Sequence, residues 1–148
     1  MVKKNTLSGI ENLRSLSISP GAVFLGPFAD IDHDKFLIVV GVSKDKIMVC
    51  SAIINSNINQ YIRKRPHLLS LQIELKEVDY DFLSHDSYVN CAQPIKASFN
   101  HFMNESQQYC GMLNSTDLSS VQQNIINSGV LTADEINLFF GKTIQDSE

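Results

Sequence analysis

The densest set of groups able to hold a phosphodiester is Arg63-Lys64-Arg65, with His67 just beyond and Tyr61 just before. Three cations and an imidazole attract a polyanion, and a tyrosine ring among them offers a face on which a base can stack. The same residues would also serve as a solvated turn between a helix and a strand. Two His-Asp dipeptides, His33-Asp34 and His85-Asp86, form a second pattern. A metal-dependent hydrolase needs several such ligands converging from facing helices, and both dipeptides sit in loop-like stretches, so no metal and no cofactor is assigned. Ser87, inside Asp86-Ser87-Tyr88, carries no histidine at a spacing that marks a nucleophile and reads as a strand-end hydroxyl. Cys50, Cys91 and Cys110 lack metal-ligand spacing and lie in or beside apolar segments. They read as reduced core thiols of a cytoplasmic protein, with no basic neighbour to activate them.

Charge and length bound what such groups can do. The chain has 148 residues, enough for one domain with its own apolar core. Its net charge of −4 provides no general attraction for nucleic acid, so any such site must be a local basic patch. No apolar run approaches the ~18 residues that span a bilayer, which predicts a soluble protein without a membrane partner. The end of the chain is acidic, with Asp146 and Glu148.

The elements that must position these groups can be read from periodicity. Residues 1–19 form a polar segment with a short helix suggested by Ile10, Leu13 and Leu16, and residues 20–148 form a single domain opened by the Pro20-Gly21 turn. Runs rich in Val, Ile and Phe at 22–26, 36–43 and 46–54 predict strands, the last two joined as a hairpin through Lys44-Asp45-Lys46. Asp30-Ile31-Asp32-His33-Asp34 is a polar loop between the first two. Asn55-Ser56-Asn57 would cap a short helix carrying Ile58, Tyr61 and Ile62 that ends before Pro66. Leu69, Leu71, Ile73 and Leu75 alternate with polar residues, the period of a strand with one wet face. Tyr88–Cys91 and Tyr109–Leu113 predict short strands, and 97–105 a helix with Phe99 and Met103 on one side. Near the C-terminus, Ser115-Thr116-Asp117 opens a helix through Leu118, Val121 and Ile125 that Gly129 stops. Thr132-Ala133-Asp134-Glu135 is a capping box for a last helix with Ile136, Phe139 and Phe140. Five or six short strands followed by packed helices describe an α+β domain built on a small antiparallel barrel.

Gly21-Ala22-Val23-Phe24, the polar loop, the strand after Lys35, and the segment Asp86-Ser87-Tyr88-Val89-Asn90-Cys91 resemble the toxin family of MazF, PemK and Kid. The resemblance extends over roughly residues 20–128, reaching Gly111. It implies an SH3-like β-barrel, shared with the gyrase poison CcdB, with short C-terminal helices. It also implies a homodimeric, cytoplasmic toxin of a type II toxin-antitoxin system, a metal-independent endoribonuclease that cuts single-stranded RNA and is silenced by an antitoxin protein. Two positions depart from the family. Active members carry an arginine where Lys35-Phe36 stands, and a threonine or serine where Ile54-Asn55-Ser56 stands. At the matched positions Lys35 would supply the charge at phosphorus and Asn55 or Ser56 the hydrogen-bond donors, while His33, in the adjoining polar loop, would shuttle a proton. Tyr61, Arg63, Lys64, Arg65 and His67 would contact the nucleic acid. Because lysine offers a point charge where arginine offers a planar fork, the alternative is a catalytically degenerate barrel module that binds protein or nucleic acid.

Overall fold

The run Phe36-Leu37-Ile38-Val39-Val40 has no wet face because both sides of its strand are covered. In the computed structural model, which describes residues 9–28 and 32–141, Leu37 through Val40 are almost inaccessible to solvent. The polar residues 1–8, the Asp30-Ile31 part of the loop, and the acidic end with Asp146 and Glu148 lie outside the described residues.

The order is α1 (Gly9–Ser17), β1 (Ala22–Gly26), β2 (Lys35–Val42), β3 (Met48–Asn55), α2 (Gln60–Arg63), α3 (Pro66–Leu69), β4 (Gln72–Leu75), a 3₁₀ turn at Glu77–Asp79, β5 (Ser87–Asn90), β6 (Ile95–Ser98), α4 (Phe99–Met103), β7 (Gln108–Met112), α5 (Ser115–Ser128) and α6 (Ala133–Phe140). The architecture is α+β. Its seven strands make one antiparallel sheet in the order β4-β5-β3-β2-β1-β7, with β6 paired to β3 off that path. No ladder among the described residues joins β7 to β4, so the sheet is open where the sequence pattern predicts a closed barrel. β3 serves two partners in succession: Met48–Ser51 pair with β6, and Ile54 and Asn55 pair with β5.

Alternation along the strands sorts the core into two layers. Val23, Ile38, Val40, Cys50, Ala52, Ile54 and Val89 pack with Val121 and Ile125 of α5 and Ile136 and Phe139 of α6. The intervening residues Phe24, Leu37, Val39 and Val49 pack with Ile18, Phe99 and Phe102. The two C-terminal helices sit where their caps predict. Asn114 rather than Ser115 caps α5, its side chain accepting from the Asp117 amide; Gly129 ends the helix in the left-handed region at φ 80°. The Thr132–Glu135 capping box of α6 is formed in both directions.

Three local differences from the sequence pattern have physical causes. Pro66 begins α3, a position where its missing N–H costs nothing, and this short helix takes Leu69 out of the strand expected from 69 onward. The cap of α2 is Asn59, whose side-chain Oδ1 accepts from Ile62 N, rather than the earlier asparagines. The stretch before Phe99 is a strand, β6, because residues 95–98 find an open edge on Met48–Ser51; the helix that follows buries Phe99 and Phe102 rather than Met103.

Candidate functional site

The antiparallel register brings the first residues of the site together. Phe36 pairs with Ile54, which sets Lys35, first in β2, opposite Asn55, last in β3. The Lys35 ammonium donates to Asn55 Oδ1 at 3.0 Å. Both side chains are half-buried, and Ser56, next along, is exposed. His33 stands just before β2 at the end of the polar loop, its Nδ1 3.2 Å from an Asp32 carboxylate oxygen.

The opposite wall comes from the segment that leads into β5. Leu83, Ser84, His85 and Ser87 line the same cavity as His33, Lys35, Asn55 and Ser56, a space of about 180 Å³. That segment is held in place: Asp86 Oδ1 accepts from Glu77 N at 2.8 Å, and the buried Ser87 hydroxyl donates to the His85 carbonyl at 3.1 Å. His85 Nδ1 lies 3.1 Å from the Asp86 carbonyl oxygen. In both histidines Nδ1 is therefore engaged by an oxygen. A proton held on Nδ1 leaves the Nε2 lone pair for another hydroxyl.

His33, Lys35, Asn55 and Ser56, the four residues expected in the catalytic step, all line one cavity. The sequence reading left out His85. Its sequence signal is the second His-Asp dipeptide, whose loop setting reads as a solvated loop or a metal ligand and not as part of this cavity. Among the described residues, no group of three or more His, Cys, Asp or Glu side chains gathers where a metal could be held.

None of the basic cluster lines this cavity; it lies on α2, α3 and the Lys64-Arg65 step between them. Tyr61, Arg63, Lys64, Arg65 and His67 are all exposed. Arg65 stacks its guanidinium over the Tyr61 ring, 3.6 Å from the centroid, and donates to the Tyr61 carbonyl at 2.9 Å. Arg63 Nε donates to Ile58 O at 3.0 Å. Of the five, Tyr61 lines a second cavity of about 320 Å³ with Asn59, Ile62, Leu68, Asn90, Ala92 and Gln93.

The cysteines take no part in either cavity. Burial pushes the Cys50 thiol up to about 12, with the Glu135 carboxylate adding to it, and burial does the same for Cys91, also to about 12. Thiols held protonated this way are poor nucleophiles.

The fold and the cavity together define an α+β domain with two imidazoles, an ammonium and amide and hydroxyl groups around one cleft. No protein-family model matches the chain, and no curated protein matches it in sequence. No helix among the described residues is long and apolar enough to cross a membrane.

Proposed function

We propose that the protein is an endoribonuclease toxin of the MazF/PemK/Kid kind, built on a diverged SH3-like barrel, cutting single-stranded RNA as a homodimer and silenced by an antitoxin protein. The observation that carries this reading is the convergence of His33, Lys35, Asn55 and Ser56 with His85 around one cavity. Transesterification of RNA needs a base, an acid and a cation at phosphorus, and this set contains all three.

One histidine removes the proton of a ribose 2′-hydroxyl. The 2′-oxygen attacks the adjacent phosphorus as the bond from phosphorus to the 5′-oxygen breaks. The other histidine, in its protonated form, gives its proton to that departing oxygen. The products are a 2′,3′-cyclic phosphate and a 5′-hydroxyl, and protons and electrons balance with no further reactant. Lys35 stabilises the charge that builds on the equatorial phosphoryl oxygens. Asn55 fixes the ammonium through its side-chain oxygen at 3.0 Å, and Asn55 and Ser56 both line the cavity and bring an amide and a hydroxyl to it.

The alternative of a non-catalytic binding module draws on one observation. Lys35 presents a single ammonium, one of whose donors already goes to Asn55, where the family's arginine would grip phosphate at two points.

Induced expression of the wild type beside Lys35→Ala and His85→Ala, with growth and total RNA followed together, tests the proposal. The expected result is growth arrest with fragmented RNA in the wild type, and a loss of about 10²–10³-fold in cutting rate by the purified variants. Intact RNA in arrested or growing wild-type cells, with purified protein also inactive on RNA, overturns it in favour of the binding module.

A further inference from the structure

We infer that the second cavity, between α2, α3 and the turn that joins β5 to β6, is a nucleobase site that holds one unpaired base of a single-stranded RNA beside the cleavage cleft. The inference rests on the nuclease reading for its choice of RNA, but its chemistry is independent of that reading.

The lining suits a flat heteroaromatic ring with a polar edge. Ile62, Leu68 and Ala92 supply apolar surface, and Tyr61 supplies an aromatic wall that is 61% exposed. Arg65 lies over one face of that ring and holds it in place. Asn90 and Gln93 supply amides, the side chains that combine a donor and an acceptor in the spacing a base edge presents.

The Asn90 amide is oriented in advance. Its Oδ1 accepts from Gln72 Nε2 at 2.9 Å and from Ala92 N at 3.1 Å, which identifies the oxygen and turns Nδ2 the other way. The Nδ2 group has only a long approach, 3.5 Å, to Gln93 Oε1. A donor fixed by two bonds to its partner atom and only weakly engaged itself is ready for an acceptor on a ligand.

Charge supports a strand of nucleic acid at this place rather than a neutral metabolite. The whole segment from Lys46 to Ile73 contains no Asp or Glu, although the chain as a whole carries a net charge of −4. Arg63, Lys64, Arg65 and His67 are exposed on the same two helices and the step between them. The two cavities are also close. Ser56 lines the first and Asn59 the second, and three residue steps span at most about 11 Å. Asn55 pairs with Tyr88, and Asn90, two residues on, shares that face of the sheet. A strand whose scissile phosphate lies in the first cavity can therefore pass a nearby base to the second, where Tyr61 forms part of the wall.

The test uses fluorescein-labelled 12-mers of 2′-O-methyl adenosine, cytidine and uridine, which cannot be cut because the attacking hydroxyl is capped, so the wild-type protein can be titrated directly. Tyr61 and Gln93 are exposed, and substituting them spares the core. The expected result is unequal affinity for the three oligomers, a roughly tenfold weaker Kd in Tyr61→Ala, near wild-type binding in Tyr61→Phe, and a flattened base preference in Gln93→Ala. Unchanged affinity and base preference in both Tyr61→Ala and Gln93→Ala overturns the inference, as does failure of the wild type to bind any of the oligomers. The two readings fail separately. Binding that depends on Tyr61 in a protein that leaves ordinary RNA intact removes the nuclease and keeps the base site. Cleavage of ordinary RNA with binding indifferent to Tyr61 does the reverse.

Discussion

Gly41→Ala puts the packing of the last helix to a direct test. Gly41 lies in β2 at an irregularity, where the pairing with β3 shifts between Val39 and Gly41. A Cβ there would stand 2.6 Å from the Phe139 carbonyl oxygen and 2.9 Å from the Phe139 Cβ. Both are parts of the helix backbone or fixed to it, so no rotamer change relieves the overlap. To restore an ordinary contact of 3.4 Å from 2.6 Å, α6 must back away from β2 by about 0.8 Å. A gap of about 0.5–1 Å forfeits a quarter to a half of the contact energy across it. The helix buries Ile136 at 3% exposure and Phe139 at 5%, side chains whose full burial is worth about 1.5–3 kcal/mol each. The expected loss is therefore about 1–3 kcal/mol, which agrees with the usual cost of overpacking. Urea unfolding followed by far-UV circular dichroism measures it, since the chain has no tryptophan to report by fluorescence. At an m-value of about 2 kcal/mol/M the midpoint falls by about 0.5–1.5 M. Gly41 is six residues along the strand from Lys35, about 20 Å, so the strain stays remote from the cavity that Lys35 lines. An unchanged midpoint would refute the placement of α6 against β2.

Two more outcomes follow from side-chain environments. Alkylation of the native protein with iodoacetamide near pH 8 reaches Cys110 first, because Cys50 and Cys91 are buried with thiols pushed up to about 12, and mass spectrometry showing early loss of either buried thiol would contradict their core placement. Burial holds His101 below the usual imidazole range, and its Nε2 lies 3.2 Å from Gln107 Nε2, which suits a neutral ring that accepts. The unfolded chain therefore binds the proton more readily, so the contribution of this group is present above about pH 6.5 and is lost as pH falls from there through the lower value of the folded state. Urea midpoints at pH 7.5 and 5.5 fall further apart in the wild type than in His101→Gln; equal separations would show that His101 is not held neutral.

What the sequence made legible depended on how local each determinant was. β1, β2 and β3 announce themselves because a strand covered on both faces needs unbroken apolar residues, and α5 and α6 because Ser115-Thr116-Asp117, Gly129, Thr132 and Glu135 mark their ends to within a residue. β6 was hidden: Ile95-Lys96-Ala97-Ser98 has little pattern of its own and becomes a strand only because the first half of β3 has a free edge. The open order of the sheet is likewise a property of which edges meet, and no residue encodes it alone. At the cavity, Lys35 and Asn55 could be matched through the resemblance, since β2 and β3 form a hairpin and their register is local. His85 comes from 52 positions beyond His33 in the chain, and only the pairing of β5 with the end of β3 carries it to the same space. The partnership of Tyr61 with Asn90 and Gln93 was invisible for the same reason.

The division of β3 between two partners also sets how wide the cleft can stand. His33 and Lys35 belong to one jaw, carried by β2 and anchored along its length to β1 and β3. Ser84, His85 and Ser87 belong to the other, the β4–β5 arm, whose ladder to β3 consists of Ile54 with Val89 and Asn55 with Tyr88. Two residue pairs thus act as the hinge pin between the imidazoles, with Asn55 serving at once as half of the pin and as the brace for Lys35. Asn55 is thus the residue that a change in the gauge of the cleft and a change in the seat of the Lys35 ammonium have in common.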